Sequence, residues 1–382
     1  MDTLSTTFGD YTLQRLPIIK KQLLRAWDAA DELLLNHTAE QQLLSENTKL
    51  LVINDQFGAL STSLNQYSPQ SWSDSYQSHL AAQHNLTLNQ LTDNVNYIPS
   101  IQAPTGSFDL VLIKVPKTIA LLESQLIALK AHISKDTKIV AAGMVKHIHT
   151  STLKLFETIL GETKTSLASK KARLIFSTFE QTEAHKPSYP KSFHDKDLDI
   201  TLSNHANVFA KDKLDMGARF MAEQFKQLPE SKHIIDLGCG NGVLGILAKR
   251  QLPNSQLTFI DESYMAVDSA KTNYLASLTD EDSSTEEKNQ ADFLVSDGLS
   301  KFDSEHPIDL ILCNPPFHQQ YAIGDHIAWE MLSQSQELLQ EGGQLWVVGN
   351  RHLAYHIKLK RLFGNCQTIA SNKKFVVLAS KK

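Results

Sequence analysis

Few cysteines, no long apolar run and no excess of basic charge narrow the possibilities before any motif is read. Cys239, Cys313 and Cys366 are too few and too scattered for a disulfide framework, and none belongs to a CxxC metal site. All three are expected to be reduced, which suits the cytoplasm. The 15 histidines include no HExxH or comparable ligand spacing, so no metal is expected and isolated histidines read as surface or packing residues. No segment approaches the roughly 20 apolar residues that a membrane helix needs, so no membrane partner is expected. The opening MDTLSTTFGD lacks both a basic region and an apolar one, which argues against a secretory signal and for a cytoplasmic location.

What is present is the make-up of an ordinary globular protein, 41% hydrophobic and 21% charged. At roughly 100–200 residues per domain, 382 residues suggest two domains. A monomer is expected. Net charge is −5, yet its distribution is uneven. Residues 351–382 carry eight Lys or Arg and no acid, and residues 110–173 carry eleven against four acids. Acids gather instead in 279–287. Each basic segment alone reads as a solvated face. Two in corresponding places point to a polyanion.

They correspond because the chain repeats itself. Ile308-Asp309-Leu310-Ile311-Leu312 echoes Phe108-Asp109-Leu110-Val111-Leu112, an offset of 200. The run from Ile369 to Lys374 echoes that from Leu167 to Lys171 at 202, and Arg351-His352-Leu353 echoes Lys146-His147-Ile148 at 205. Upstream, Gly242-Val243-Leu244-Gly245 matches Gly58-Ala59-Leu60-Ser61 at 184. Preserved order with drifting offset suggests duplication, with insertions in the second copy near 279–289. The polar stretch 186–196, which contains two prolines, reads as a linker between domains at 1–185 and 197–382. Within the second domain, apolar runs predict strands at 233–237, 256–261, 293–296, 310–314, 343–349 and 375–378. Helical patterns fit 242–250, 264–277, 328–339 and 353–363. Such alternation predicts an α/β, doubly wound, mostly parallel sheet, and the last strand suits an antiparallel edge.

The sharpest local signal is Asp236-Leu237-Gly238-Cys239-Gly240-Asn241-Gly242, a strand end followed by a helix. Glycines let the chain turn tightly and a ligand come close. Gly240, Gly242 and Gly245 also satisfy the dinucleotide fingerprint GxGxxG, and Asp261, about 20 residues on, could hold a ribose in either case. Charge separates the two. A dinucleotide brings an anionic pyrophosphate to this turn, which Asp236 would repel. S-adenosylmethionine carries an ammonium and a sulfonium, which a carboxylate attracts. Asp261 then receives ribose hydroxyls or serves as a turn or cap residue. Asp297, before Gly298, meets the adenine amino group or closes a turn.

Downstream, at the next expected strand end, stands Asn314-Pro315-Pro316-Phe317. In open α/β sheets ligands bind beyond the carboxyl ends of strands. The Asn314 amide oxygen and the Pro315 carbonyl could accept the two N–H bonds of a planar amino group, orienting its nitrogen toward a methyl donor and meeting the positive charge that develops there. Prolines stiffen the backbone and remove donors, and Phe317 could stack on a base. No nucleophile, general base or metal is required. Further upstream, Phe209 could cover the cofactor and Gly217 could open a helix, although the segment reads equally as packing.

These motifs resemble class I methyltransferases in general. The longer Asn314-Pro315-Pro316-Phe317-His318, together with a degenerate first copy, resembles the bacterial ribosomal RNA guanine-N2 methyltransferases with two fused methyltransferase-like domains. Leu13-Gln14-Arg15, the run from Ile53 to Leu60, Lys114-Val115-Pro116-Lys117-Thr118 and Asn207-Val208-Phe209 are similar to the large-subunit (23S) members, nearly end to end. The resemblance implies tandem Rossmann-like domains with seven-stranded sheets, S-adenosylmethionine as cofactor, and methylation of one guanine N2 in 23S rRNA. It leaves a 16S rRNA enzyme as the alternative.

In the first copy Val52, Asn54 and Gln56 stand opposite Asp236, Gly238 and Gly240, and Lys114-Val115 opposite Asn314-Pro315. That half is expected to be inactive, with Lys114 suited to a phosphate and the domain binding and guiding RNA, or else kept as scaffold. A protein glutamine methyltransferase would use the same Asn-Pro-Pro acceptors, but Phe317 in place of Tyr and the basic segments count against it. A non-catalytic RNA-binding module and a dinucleotide oxidoreductase are the remaining alternatives.

Overall fold

Short apolar runs bounded by polar turns recur along both halves, and each packs as a strand with helices on its two faces. The computed structural model describes residues 2–18, 24–180, 185–210, 212–278, 291–303, 306–316 and 321–382, with the backbone alone at 321–325. The chain divides into two units, Met1–Tyr189 and Pro190–Lys382.

The first unit opens with a hairpin of β1 (Asp2–Thr6) and β2 (Gly9–Leu13), followed by α1 (Ala29–Glu40) and β3 (Leu50–Ile53). Then come α2 (Ala59–Ser63), β4 (Gln70–Ser73), α3 (Tyr76–Leu88), β5 (Asn96–Pro99), β6 (Leu110–Lys114) and α4 (Ile119–Leu129). The unit closes with β7 (Lys138–Met144), α5 (Thr150–Ile159), β8 (Thr163–Thr165) and β9 (Ala172–Ser177).

The second unit repeats this plan. A hairpin of β10 (Lys191–Asp195) and β11 (Ile200–Asn204) leads to α6 (Met216–Ala222), β12 (His233–Leu237), α7 (Val243–Gln251), β13 (Gln256–Asp261) and α8 (Tyr264–Ser277). After these come β14 (Ala291–Val295), β15 (Ile308–Cys313), α9 (Tyr321–Leu338), β16 (Leu339–Asn350), α10 (Tyr355–Phe363), β17 (Gln367–Ser371) and β18 (Phe375–Lys381). The two seven-stranded sheets have the orders β5-β4-β3-β6-β7-β9-β8 and β14-β13-β12-β15-β16-β18-β17, the same topology twice.

Alternate residues of the central strands feed two cores, as a sheet covered on both faces requires. Ile234, Leu310 and Leu312 face α6, α7 and α8, while Ile235, Leu237, Ile311 and Cys313 face α9 and α10. In the first unit Leu50, Val52, Leu110 and Leu112 take one face and Leu51, Ile53, Val111 and Ile113 the other. Each fully buried aliphatic side chain contributes roughly 1.5–3 kcal/mol.

Register confirms the duplication. Ile53 pairs with Ile113 as Leu237 pairs with Cys313, giving offsets of 184 (237 − 53) and 200 (313 − 113). The other two echoes shift by a residue. Met144 pairs with Ala172 as Asn350 pairs with Phe375, so Val145 answers to Arg351 and Lys171 to Lys374.

Three expectations change. Residues 191–195, expected within a linker, form the first strand of the second copy. Only Phe193 of that strand packs on the core, while Asp195 is buried in an ion pair with Arg219, so no apolar rhythm betrays it. The antiparallel β18 is not an edge strand, because the short, mostly exposed β17 lies outside it. The segment expected to hold the insertions, 279–289, lies outside the described residues.

Lys114 is the third correction. It does not await a phosphate. Its Nζ lies 2.7 Å from Asp28 Oδ1 and 2.8 Å from Asp31 Oδ2, with only 11% of its side chain exposed. Burial opposes the ammonium, but the Asp31 and Asp28 carboxylates outweigh it and hold the lysine above its ordinary pKa. Lys114→Ala would strand the carboxylate of Asp31, which is 5% exposed. The expected loss is about 3–5 kcal/mol in chemical denaturation. An unchanged unfolding midpoint would contradict the buried triad.

Candidate active site

In the second unit β12 and β15 are adjacent and parallel, and Leu237 and Cys313 are their last paired residues. The next residues, Gly238 and Asn314, therefore leave neighbouring strand tips. Neighbouring strands lie about 4.8 Å apart, so the glycine turn and the Asn-Pro-Pro tip share one edge. Across the order β14, β13, β12, β15, the carboxyl edge presents Asp297, Asp261, the glycine turn and Asn314 in that sequence.

The turn is shaped by Gly238, Gly240 and Gly242, at φ of +70°, +54° and +79°, a region that favours glycine. A Cβ on Gly240 would meet nothing within 4 Å, so open space lies against the backbone there. Gly245 serves packing instead, since a Cβ on it would lie 2.4 Å from the Phe259 ring. The Gly238 and Cys239 N–H groups donate to the Ile260 carbonyl, and Gly240 N–H donates to Asp261 Oδ2 at 2.9 Å. Asp261 Oδ1 also accepts from Ser263 N–H, at 3.0 Å. Asp261 thus closes a turn, as one reading had it, while standing half-buried beside the open space as the other required.

Asp236 sits on the face of β12 toward α7, 2% exposed, its Oδ2 accepting from Gly245 N–H at 2.8 Å. Burial, opposed by that bond and reinforced by the Asp261 charge, pushes its carboxyl up to about 7. A carboxylate held so near neutrality gains from a cation placed beside the turn. Asp297 follows β14, half-buried and close enough for its charge to help burial raise the Glu330 carboxyl.

At the β15 tip Asn314 is partly buried and Pro315 buried. The Asn314 Nδ2 donates to Asp215 Oδ2 at 3.1 Å, and its Oδ1 is buried without a hydrogen-bond partner among the described residues. Such an acceptor costs free energy until a donor arrives. Phe317, expected to stack on a base, lies outside the described residues. Phe209 is 54% exposed beyond a segment pinned to α8 by the His205–Asp268 contact of 2.8 Å. Burial raises the Cys239 and Cys313 thiols well above the usual range, so neither supplies a thiolate.

Two residues at this edge had no role assigned from sequence. Asp215 was visible only as a polar residue before Gly217. Asn273 of α8 donates from Nδ2 to the carbonyls of Asn241 and Ser203 at 3.0 Å, tying the glycine turn to β11. Nothing local marks it, because its partners lie far off in the chain.

The residues fit S-adenosylmethionine. The edge offers open space at a left-handed glycine and carboxylates for a cation, with an unpaired acceptor next door. The first copy has lost the glycine turn and the tip acceptor. Asn54 keeps a positive φ of 62°, but its amide bonds to the Lys114 carbonyl and to Gln125. Asp55 has taken over the anchoring bond, accepting from Ser61 N–H at 2.7 Å. Among the described residues no three His, Cys, Asp or Glu side chains gather as a metal site, and no helix is long and apolar enough to cross a membrane.

Known proteins share this plan. Residues 1–181 match the family model described as the RLMG N-terminal domain, and residues 199–379 match the methyltransferase small domain. A protein of Pseudoalteromonas translucida named ribosomal RNA large subunit methyltransferase G is 45% identical, covering 100% of this chain and 98% of its own. One of the same name from Erwinia tasmaniensis is 48% identical over 97% of this chain and 96% of its own. Among solved structures, a T. thermophilus 16S rRNA N2 methyltransferase in complex with AdoMet and guanosine superposes with a TM-score of 0.75. It is 20% identical and the match covers 100% of this chain and 97% of that one, which shows the shared tandem fold.

The buried carboxyl gives a pH-dependent test. With its pKa raised to about 7, Asp236 is largely neutral below that pH and anionic above it, so its pull on a cation grows as pH rises. Asp236→Asn keeps an acceptor for Gly245 but no charge. By calorimetry the variant should bind S-adenosylmethionine about as well as wild type near pH ~6 and roughly tenfold more weakly near pH ~8. A deficit that does not change with pH would count against this role.

Proposed function

The chain belongs to the ribosomal RNA large subunit methyltransferase G family, and we propose that it methylates the exocyclic N2 of one guanine in 23S rRNA. The observation that carries this reading is the buried, unpaired Asn314 Oδ1 beside an open glycine turn. When bound, S-adenosylmethionine supplies an electrophilic methyl group. Gly238, Gly240 and Gly242 would admit it against the backbone, Asp236 would attract its positive charge, and Asp261 and Asp297 would receive its ribose and adenine. Phe209 would cover it.

Asn314 Oδ1 and the Pro315 carbonyl accept the two N–H bonds of the target amine. That orients the nitrogen lone pair away from the protein acceptors and toward the turn. The same two dipoles meet positive charge as it develops on nitrogen, and their geometry is already set. The surplus proton passes to water, so no general base is assigned. Phe317 would stack on the base, which must be unstacked to enter.

The first copy, without a usable turn or tip, would bind and guide RNA. Exposed Lys146, Lys170 and Lys171 stand at its carboxyl edge, as Arg351, His352, Lys373 and Lys374 do in the second unit. The backbone bonds Val145 N–H to Lys171 O and Arg351 N–H to Lys374 O place these turns alike. Phosphate contacts of this kind position a substrate without reading its sequence. The same reading has the enzyme work in the cytoplasm, as a monomer.

Asn314→Ala tests the role of the tip. Methyl incorporation into rRNA should fall by about 10²–10³, while calorimetry shows S-adenosylmethionine binding kept. Unchanged turnover would remove Asn314 from the site. Methylation of a protein glutamine with none of rRNA would favour the protein-substrate alternative.

A further inference from the structure

The Asn314 amide works only one way round. With Oδ1 forward it accepts from an incoming amine. Flipped, it presents an NH₂ to another NH₂, donor against donor, and the acceptor is lost.

The fold contains a group that makes this choice. Asp215 Oδ2 takes the Asn314 Nδ2–H at 3.1 Å, and a carboxylate accepts but does not donate. The nitrogen is therefore held by the carboxylate, and Oδ1 is the end left buried and unpaired. Asp215 is itself fixed. It caps α6, with the same Oδ2 accepting from Ala218 N–H at 2.8 Å. Gly217 leaves room for the pair, since a Cβ there would lie 2.9 Å from Asp215 Oδ2 and 3.6 Å from Asn314 Oδ1.

The first copy keeps the lever without the choice. Asp28 caps α1 and reaches the tip of the corresponding strand, where Lys114 pairs with it at 2.7 Å. An ammonium has no acceptor end to turn toward a substrate. Cap-to-tip contact thus belongs to the shared scaffold, and only in the second copy does the tip residue have two unlike ends.

We propose that Asp215 is a positioning residue for methyl transfer, locking the Asn314 amide with its oxygen toward the target amine. The inference rests on the methyl-transfer reading above. Two variants separate positioning from helix capping. In Asp215→Ser the hydroxyl still caps α6 but is too short to reach Asn314. Its kcat on rRNA should fall roughly 100-fold, with KM for S-adenosylmethionine and RNA affinity near wild type and melting temperature little changed. In Asp215→Asn one amide oxygen can accept both bonds, and kcat should recover to within about threefold of wild type.

Wild-type kcat in Asp215→Ser, or an equal loss in Asp215→Asn, overturns the inference. Should the serine variant melt below the assay temperature, Gly217→Ala pushes on the same carboxylate, and wild-type kcat there overturns it instead. Wild-type protein that leaves rRNA unmethylated sinks the underlying reading, a result seen before any variant is made.

Discussion

The parallel pairing of β12 with β15 is the constraint on which the site depends. Because Leu237 and Cys313 are the last residues in register, the backbone released after them becomes the glycine turn on one strand and the Asn314-Pro315 tip, the proposed amine acceptor, on the next. Slipping that register by one residue would exchange the two faces of the slipped strand, and in β12 it would carry the Asp236 carboxylate away from the Gly245 N–H that anchors it. One sheet edge thus holds the four candidate positions in line. The chemistry needs little more than a cation-tolerant turn and an oriented acceptor.

The first copy shows what happens when the pairing outlives its purpose. Ile53 and Ile113 keep the register, and Asn54 and Gly58 keep left-handed backbones. The groups that would meet a ligand now bond to one another. Asn54 joins Gln125 and the Lys114 carbonyl, Asp55 anchors Ser61, and Lys114 pairs with Asp28 and Asp31. Core positions and tip positions answer to different demands, so one set can persist while the other is rewritten.

The same division explains what could be read from sequence. Strands at His233–Leu237 and Gln256–Asp261 and the helix Tyr264–Ser277 were legible because apolar rhythm and turn residues mark them locally. The glycine turn and Asn314 were legible because chemistry demands particular residues at a strand end. Contacts between distant residues were not. Asp215 and Asn314 lie 99 positions apart, and Lys114 and Asp28 lie 86 apart, so a lysine that reads as a phosphate ligand proved to be buried. The β10–β11 hairpin went unseen because Phe193 alone of the first strand packs on the core, which leaves a sequence like that of a linker.

The central claim is that this edge transfers a methyl group to an exocyclic amine of large-subunit RNA. Purified protein should be incubated with S-adenosylmethionine and unmodified 23S rRNA, and the digested RNA analysed by mass spectrometry. The account predicts a single new N2-methylguanosine at one position. Methyl groups on ribose oxygens or on other bases, or none at all, would contradict it.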